Sequence, residues 1–190
     1  MGKSLRLPLV LLLITAVTGA ILGVVYTITL EPIRLTKERE RQEALEMTLP
    51  GATEFKTLKI GTDPKGTISE VNVGSSSNEL VGYNFTVSSK GYAGNIEMVV
   101  GIGKEGEIKG IKILAQTETP GLGAEAAKPK FLDQFKSKTV DKFKVTKIPS
   151  EEVSDIQAIS GATITSDAVI VGVNDAINFW NNHFKEEGKE

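Results

Sequence analysis

The chain has 190 residues, a net charge of −2 and 24% charged residues, an ordinary composition with room for one folded domain and an appendage. It has no cysteine and a single histidine, which excludes disulfides, thiolate catalysis, iron–sulfur clusters, cysteine zinc sites and a His-rich metal centre. The charge leaves no footprint for a nucleic-acid partner, and any redox chemistry must use an organic cofactor.

Leu7 to Leu30 is free of charge, with Lys3 and Arg6 before it and Glu31 after it. A helix of this length reaches roughly 36 Å at about 1.5 Å per residue, enough to cross about 30 Å of hydrocarbon. Pro8 falls in the first turn, where a missing N–H costs little. Thr18-Gly-Ala20 is a conceivable cleavage site, but the apolar run continues well past a signal-peptide core, so residues 1–30 read as an uncleaved transmembrane anchor. Positive charge ahead of the span keeps the N-terminus in the cytoplasm. The expectation is a single-pass protein of a bacterial inner or cytoplasmic membrane, with its C-terminal domain outside.

Residues 31–50 read as a charged helical stalk in which Glu38 and Arg39 pair with Gln42 and Glu43, stopped by Pro50-Gly51. From there to residue 190 the pattern is that of one domain. Apolar residues alternate over 55–60, 67–73, 80–88, 95–102 and 106–114, with turns expected at Asp63–Gly66 and Gly103–Gly106 and a loop at Ser75–Asn78. This predicts a mainly antiparallel sheet. Ala124 to Ser137 reads as a helix broken by Pro129, with Phe131, Leu132 and Phe135 facing the sheet. Asp141–Ile148 alternates again, with Phe143, Val145 and Ile148 as its apolar set. A last helix extends to about Phe184, with His183 at its exposed C-terminal end. The fold class is α+β.

Three loops are dense in small and turn-forming residues: Ser89–Gly94, Glu118–Gly123 and Ser160–Ser166. Glycines in such places allow positive φ or close approach of backbone to a ligand. The third loop holds four hydroxyls, Ser160, Thr163, Thr165 and Ser166, just ahead of the last helix. A helix start offers free N–H groups and a positive dipole end, a setting that favours phosphate, and the hydroxyls are points of covalent attachment. The plainer reading is a helix beginning near Asp167 with Thr165 or Ser166 as its N-cap. No G-x-S-x-G elbow surrounds Ser160, and no P-loop sequence occurs. Spacing alone does not choose among the four hydroxyls.

Ser160-Gly-Ala-Thr163 followed by Ile164-Thr165-Ser166 resembles the flavinylation motif of FMN-binding domains that hold their flavin through a phosphodiester. With the N-terminal span, Lys90-Gly-Tyr-Ala-Gly94 and Glu118-Thr-Pro-Gly-Leu-Gly123 in the same order, nearly the whole chain resembles the G subunits of Rnf electron-transport complexes. The C subunits of sodium-pumping quinone reductases are relatives that are usually longer. One position departs from the motif: Gln157 stands where an acid is usual, the nearest acid being Asp155.

The resemblance implies FMN esterified to Thr163, with Ser160, Gly161, Ala162, Thr165, Glu118, Thr119, Gly121, Leu122 and Gly123 around it. It implies a flavoprotein subunit relaying electrons in an ion-translocating ferredoxin:NAD oxidoreductase, with no metal and no catalytic acid–base pair of its own. Its partners are then the other subunits of the complex, a flavin transferase for maturation and the bilayer. Tyr92 is expected as a packed loop aromatic rather than a contact of the flavin ring. An anchored sensory or assembly domain without redox turnover is the alternative.

Overall fold

The computed structural model describes residues 3–58 and 66–185. They fall into two compact units, which divide between Arg41 and Gln42. The first unit consists of most of helix α1 (Lys3–Thr48), the one described helix long and apolar enough to cross a membrane. Its threonine hydroxyls are paired within the helix. Thr15, Thr18, Thr27 and Thr29 donate to the carbonyls of Leu11, Ile14, Val24 and Val25, at 2.8–3.0 Å. An apolar solvent would demand such pairing of polar groups on a helix exposed to it. The helix continues through Pro32 rather than dividing into span and stalk. The expected stalk pairings are replaced by Arg34 bridging Glu31 (2.7 Å) and Glu38 (2.9 Å), and by Gln42 donating to Glu46 (2.9 Å).

The second unit is built on a five-stranded antiparallel meander, β1 (Glu54–Leu58), β2 (Ile68–Ser76), β3 (Glu79–Lys90), β4 (Asn95–Gly103) and β5 (Ile108–Ala115), in that spatial order. Lys59 and Ile60 of the first expected strand, and Asp63 to Lys65 of the expected turn, lie outside the described residues. The Ser75–Asn78 loop is tighter than expected. Both strands run into it, leaving Ser77 and Asn78 as a two-residue turn with φ of 50° and 70°. Two consecutive left-handed residues give the turn whose twist matches a hairpin.

One face of the sheet is apolar and packs under α3 (Thr163–His183): Val71, Phe85, Val87, Met98, Val100 and Ile102 meet Val169, Val173, Ala176 and Phe179 in one core. The other face is paved with glycine and receives the last turn of α1 together with Leu49. A Cβ on Gly101 would lie 1.9 Å from the Thr48 carbonyl oxygen, and one on Gly74 would lie 2.3 Å from the Leu49 side chain. Thr48 donates to Asn84 Oδ1 (2.9 Å), and Asn84 Nδ2 donates to the Leu45 carbonyl (3.1 Å). These bonds satisfy polar groups at a helix end that no basic residue caps.

Between β5 and α3 the chain is less regular than its periodicity suggests. The expected helix over 124–137 is a 3-10 helix (Gly123–Ala127), a single turn α2 (Pro129–Leu132) and further turns. Its apolar residues nevertheless go where predicted: Phe131, Leu132 and Phe135 are buried. The expected strand 141–148 shrinks to β6 (Lys144–Thr146), paired parallel with β7 (Asp155–Gln157). Of its apolar set only Phe143 is core. Val145 is 36% exposed and Ile148 71%, because a strand edged by one short partner has no layer to cover its second face.

Candidate functional site

The loop Glu118–Gly123 follows β5 and turns on the Thr119 carbonyl, which accepts the N–H groups of Leu122 and Ala124, both at 3.1 Å. Gly121 supplies the left-handed φ of +77° that this turn needs. The turn sends Glu118 inward, where it is 5% exposed, and leaves Thr119 and Leu122 facing out. Glu118 Oε1 accepts the Ala93 N–H at 2.9 Å, and Oε2 accepts the Thr165 hydroxyl at 2.5 Å. All three sequence-predicted loops therefore meet at one carboxylate.

The packing around that carboxylate explains the glycines. A Cβ on Gly91 would come within 2.6 Å of Glu118 Oε1; one on Gly123 would come within 2.7 Å of both Glu118 Oε2 and Thr165 Oγ1. Burial works against the charged form of Glu118. Hydrogen bonds from the Thr165 hydroxyl and from the backbone N–H groups of Ala93, Tyr92 and Gly94 outweigh it and hold the carboxyl below the usual carboxylate range.

The helix after the third loop starts at Thr163, four residues before the expected Asp167, and its N-cap is Ala162, which has no side-chain cap to offer. Neither Thr165 nor Ser166 is the N-cap. The four hydroxyls separate by environment. Thr165 is 2% exposed and committed to Glu118. Ser166 is fully buried; it donates to the Ala162 carbonyl (2.9 Å) and accepts the Ile159 N–H (2.9 Å), tying the loop to the helix. Ser160 is exposed and Thr163 half-buried, and neither side chain has a hydrogen-bond partner among the described residues. Of these two, only Thr163 stands on the helix itself. The first backbone bond of the helix closes from Ser166 N–H to Ala162, which leaves the N–H groups of Thr163, Ile164 and Thr165 without a helical acceptor. Uncapped donors at the positive end of a 21-residue helix suit a phosphate group.

Each of the three loops also presents one exposed apolar side chain: Tyr92 (70%), Leu122 (43%) and Ile164 (58%). Tyr92 is thus not the packed aromatic that was expected. A Cβ on Gly161 would lie 3.1 Å from Leu122 Cδ2, which brings the second and third loops into contact above Glu118. A cavity of about 480 Å³ lies elsewhere, between the β4–β5 turn and the C-terminal half of α3, lined by Lys104, Asp141 and Trp180 among others. His183 stacks on Phe179 in the last turn of α3 and takes no part in the loop cluster. The Glu118–Thr165 and Glu118–Ala93 pairings were not readable in the sequence. Their one signal was the recurrence of glycine in all three loops.

Residues 91–178, which contain all of this machinery except the start of the first loop, match the FMN-binding domain family. The chain is 36% identical to the G subunit of the Na(+)-translocating ferredoxin:NAD(+) oxidoreductase complex of Acetobacterium woodii, over 93% of this chain and 91% of that one. It is 35% identical to the G subunit of the proton-translocating ferredoxin:NAD(+) oxidoreductase complex of Clostridium ljungdahlii, over 85% and 83%. It is 31% identical to the G subunit of an ion-translocating oxidoreductase complex of Methanosarcina acetivorans, over 89% and 90%. In fold it resembles the crystal structure of the C subunit of Na(+)-translocating NADH-quinone reductase from Parabacteroides distasonis, with a TM-score of 0.53 at 24% identity, over 70% of this chain and 77% of that one. The chain belongs to the G-subunit family of ion-translocating ferredoxin:NAD(+) oxidoreductase complexes and contains that family's FMN-binding domain.

Proposed function

We propose that this chain holds one FMN through a phosphodiester to Thr163 Oγ1 and relays electrons through it within an ion-translocating ferredoxin:NAD oxidoreductase of the membrane. The observation that supports it best is the start of α3: three open N–H donors and an unpartnered threonine hydroxyl on one uncapped turn. A phosphate ester at Thr163 would take the place of the missing cap. Ser160, Gly161 and Ala162 shape the approach to it, and Thr119, Gly121, Leu122 and Gly123 form the facing wall. Thr165 and Glu118 lie beneath that surface. Leu122, Ile164 and Tyr92 offer apolar area to the isoalloxazine ring.

Forming this ester requires an activated donor. A flavin transferase using a flavin dinucleotide would supply one: the Thr163 oxygen would bond to the FMN phosphorus as the pyrophosphate bond broke, with adenosine monophosphate leaving and the hydroxyl proton passing to a base of the transferase. The flavin then provides the redox chemistry, while the protein provides position and electrostatics. The chain needs no acid–base pair of its own for that task.

The anchor completes the reading. Residues 1–30 span a bacterial cytoplasmic membrane once, and Lys3 and Arg6 keep the N-terminus inside. The domain beyond the helical stalk then works outside the cytoplasm, alongside the other subunits of the complex. A covalent bond keeps the cofactor where a lost one could not be replaced. The test is a denaturing gel of membranes from cells that make the transferase, viewed under ultraviolet light. The wild-type band fluoresces and Thr163→Ala is dark; a dark wild-type band would sink the proposal.

A further inference from the structure

We propose that Glu118 is a positioning residue for the Thr163 hydroxyl, acting through Thr165 and without touching the flavin or its phosphate. This rests on the reading of Thr163 as the acceptor and adds what makes that acceptor competent. Glu118 is almost wholly buried, and each of its carboxylate oxygens already accepts a hydrogen bond from the protein. The glycines at 91 and 123 press against it on two sides. A group so enclosed has no face left for a ligand, and what remains to it is to fix its neighbours.

Those neighbours are the Tyr92–Gly94 loop on one oxygen and the first turn of α3 on the other. Helix α3 has neither a side-chain cap nor an acidic residue in its first turn. Both are the usual means of holding a helix start in register. Glu118 supplies the missing anion from another loop, through the hydroxyl of Thr165 at the third position of the helix. Residues two apart on a helix point about 200° from one another. With Thr165 pinned inward by Glu118, Thr163 is turned to the accessible side, in agreement with its half-buried state beside a fully buried Thr165. Without that pin, the first turn is free to fray or rotate, and the acceptor oxygen loses its fixed direction relative to the Leu122 wall.

The test uses the full chain in detergent with a flavin transferase and FAD, comparing Thr165→Ser, Thr165→Val and Glu118→Gln with wild type. Thr165→Ser keeps the hydroxyl and is expected to be modified at the wild-type rate. Thr165→Val, of nearly equal volume, and Glu118→Gln are expected to be modified at least tenfold more slowly while still unfolding cooperatively on heating. Amide hydrogen exchange on the unmodified protein gives a second readout that needs no flavin. Peptides covering Ala93 and peptides covering Ala162–Ala168 should both exchange faster in Thr165→Val and return to normal in Thr165→Ser. Modification of Thr165→Val at the wild-type rate overturns the proposal. So does unchanged exchange at Ala93 in that variant, whether or not the wild type accepts FMN. A wild type that accepts no FMN but shows the coupled exchange would overturn the acceptor reading alone and leave Glu118 as the pin of this helix start.

Discussion

Replacing Gly101 by alanine tests how tightly the end of α1 is seated on the sheet. The added Cβ would stand 1.9 Å from the Thr48 carbonyl oxygen, 2.6 Å from its carbon and 3.0 Å from Asn84 Oδ1. The first two are backbone atoms, so no rotamer change relieves the clash. Restoring an ordinary contact demands that β4 and the helix end separate by about 1.5 Å. Overpacking of this kind costs about 1–3 kcal/mol. The same separation stretches Thr48–Asn84 (2.9 Å) and Asn84–Leu45 (3.1 Å) beyond hydrogen-bond range. Their loss adds about 0.5–1.5 kcal/mol each. A total of about 2–6 kcal/mol corresponds to a fall in Tm of about 4–24 °C for a chain of this size, at about 2–4 °C per kcal/mol. Trp180, the sole tryptophan and 7% exposed, reports unfolding by fluorescence in the detergent-solubilised chain. Gly19→Ala, whose Cβ would meet nothing within 4 Å, is the control. A Gly101→Ala protein melting within about 1 °C of that control would refute the seating described here.

Asn174 clamps the irregular segment to α3, accepting the Phe143 N–H at 2.8 Å and donating to the Phe143 carbonyl at 3.0 Å. Asn174→Ala should lower stability by about 2–4 kcal/mol, read as a shift in the urea midpoint with unchanged slope. The lowered pKa of Glu118 gives a pH signature. A carboxyl depressed in the folded state contributes stability above its unfolded value of about 4.3, and that contribution fades as pH falls through the folded value. The stability difference between wild type and Glu118→Gln should therefore be largest near neutrality and shrink below about pH 4. Urea midpoints from pH 3 to 7 check it, and a constant difference across that range contradicts the assignment.

What could be read in the sequence depended on whether a signal was local. The anchor is written in an uninterrupted apolar run, and the meander in alternating residues punctuated by Gly103–Gly106. The buried placement of Phe131, Leu132 and Phe135 was also legible, although the chain reaches it through a 3-10 helix and turns, because Pro129 forbids a continuous helix. Val145 and Ile148 misled, since alternation specifies a strand only where a second layer covers one face. No pattern in the sequence marks the glycines of β2 to β5 as the seat of a helix end; the helix end lying against them shows their use. At the site, the three loops and their hydroxyls were visible, but their junction was not. Glu118 and Thr165 lie 47 residues apart, and no pattern in either loop announces the other.

The open character of the site favours the covalent attachment proposed for it. Tyr92, Leu122 and Ile164 are exposed by 43–70%, so a planar ring laid against them would bury little more than one face. Burial on the order of 150 Å² of apolar area contributes about 4 kcal/mol. Holding a free ligand costs about 4–15 kcal/mol in lost translational and rotational freedom, and the phosphate at the helix start offsets only part of it. A flavin held here without a covalent bond would therefore exchange readily. The proposed ester at Thr163 would remove the association cost after a single enzymatic step, and weak contacts would then suffice to orient the ring. The same openness would leave the other face and edge of the ring uncovered, which a relay needs if it is to receive electrons from one partner and pass them to another. A deep pocket would have secured the cofactor at the expense of that access. A pinned helix start beneath an exposed surface would provide both attachment and exposure.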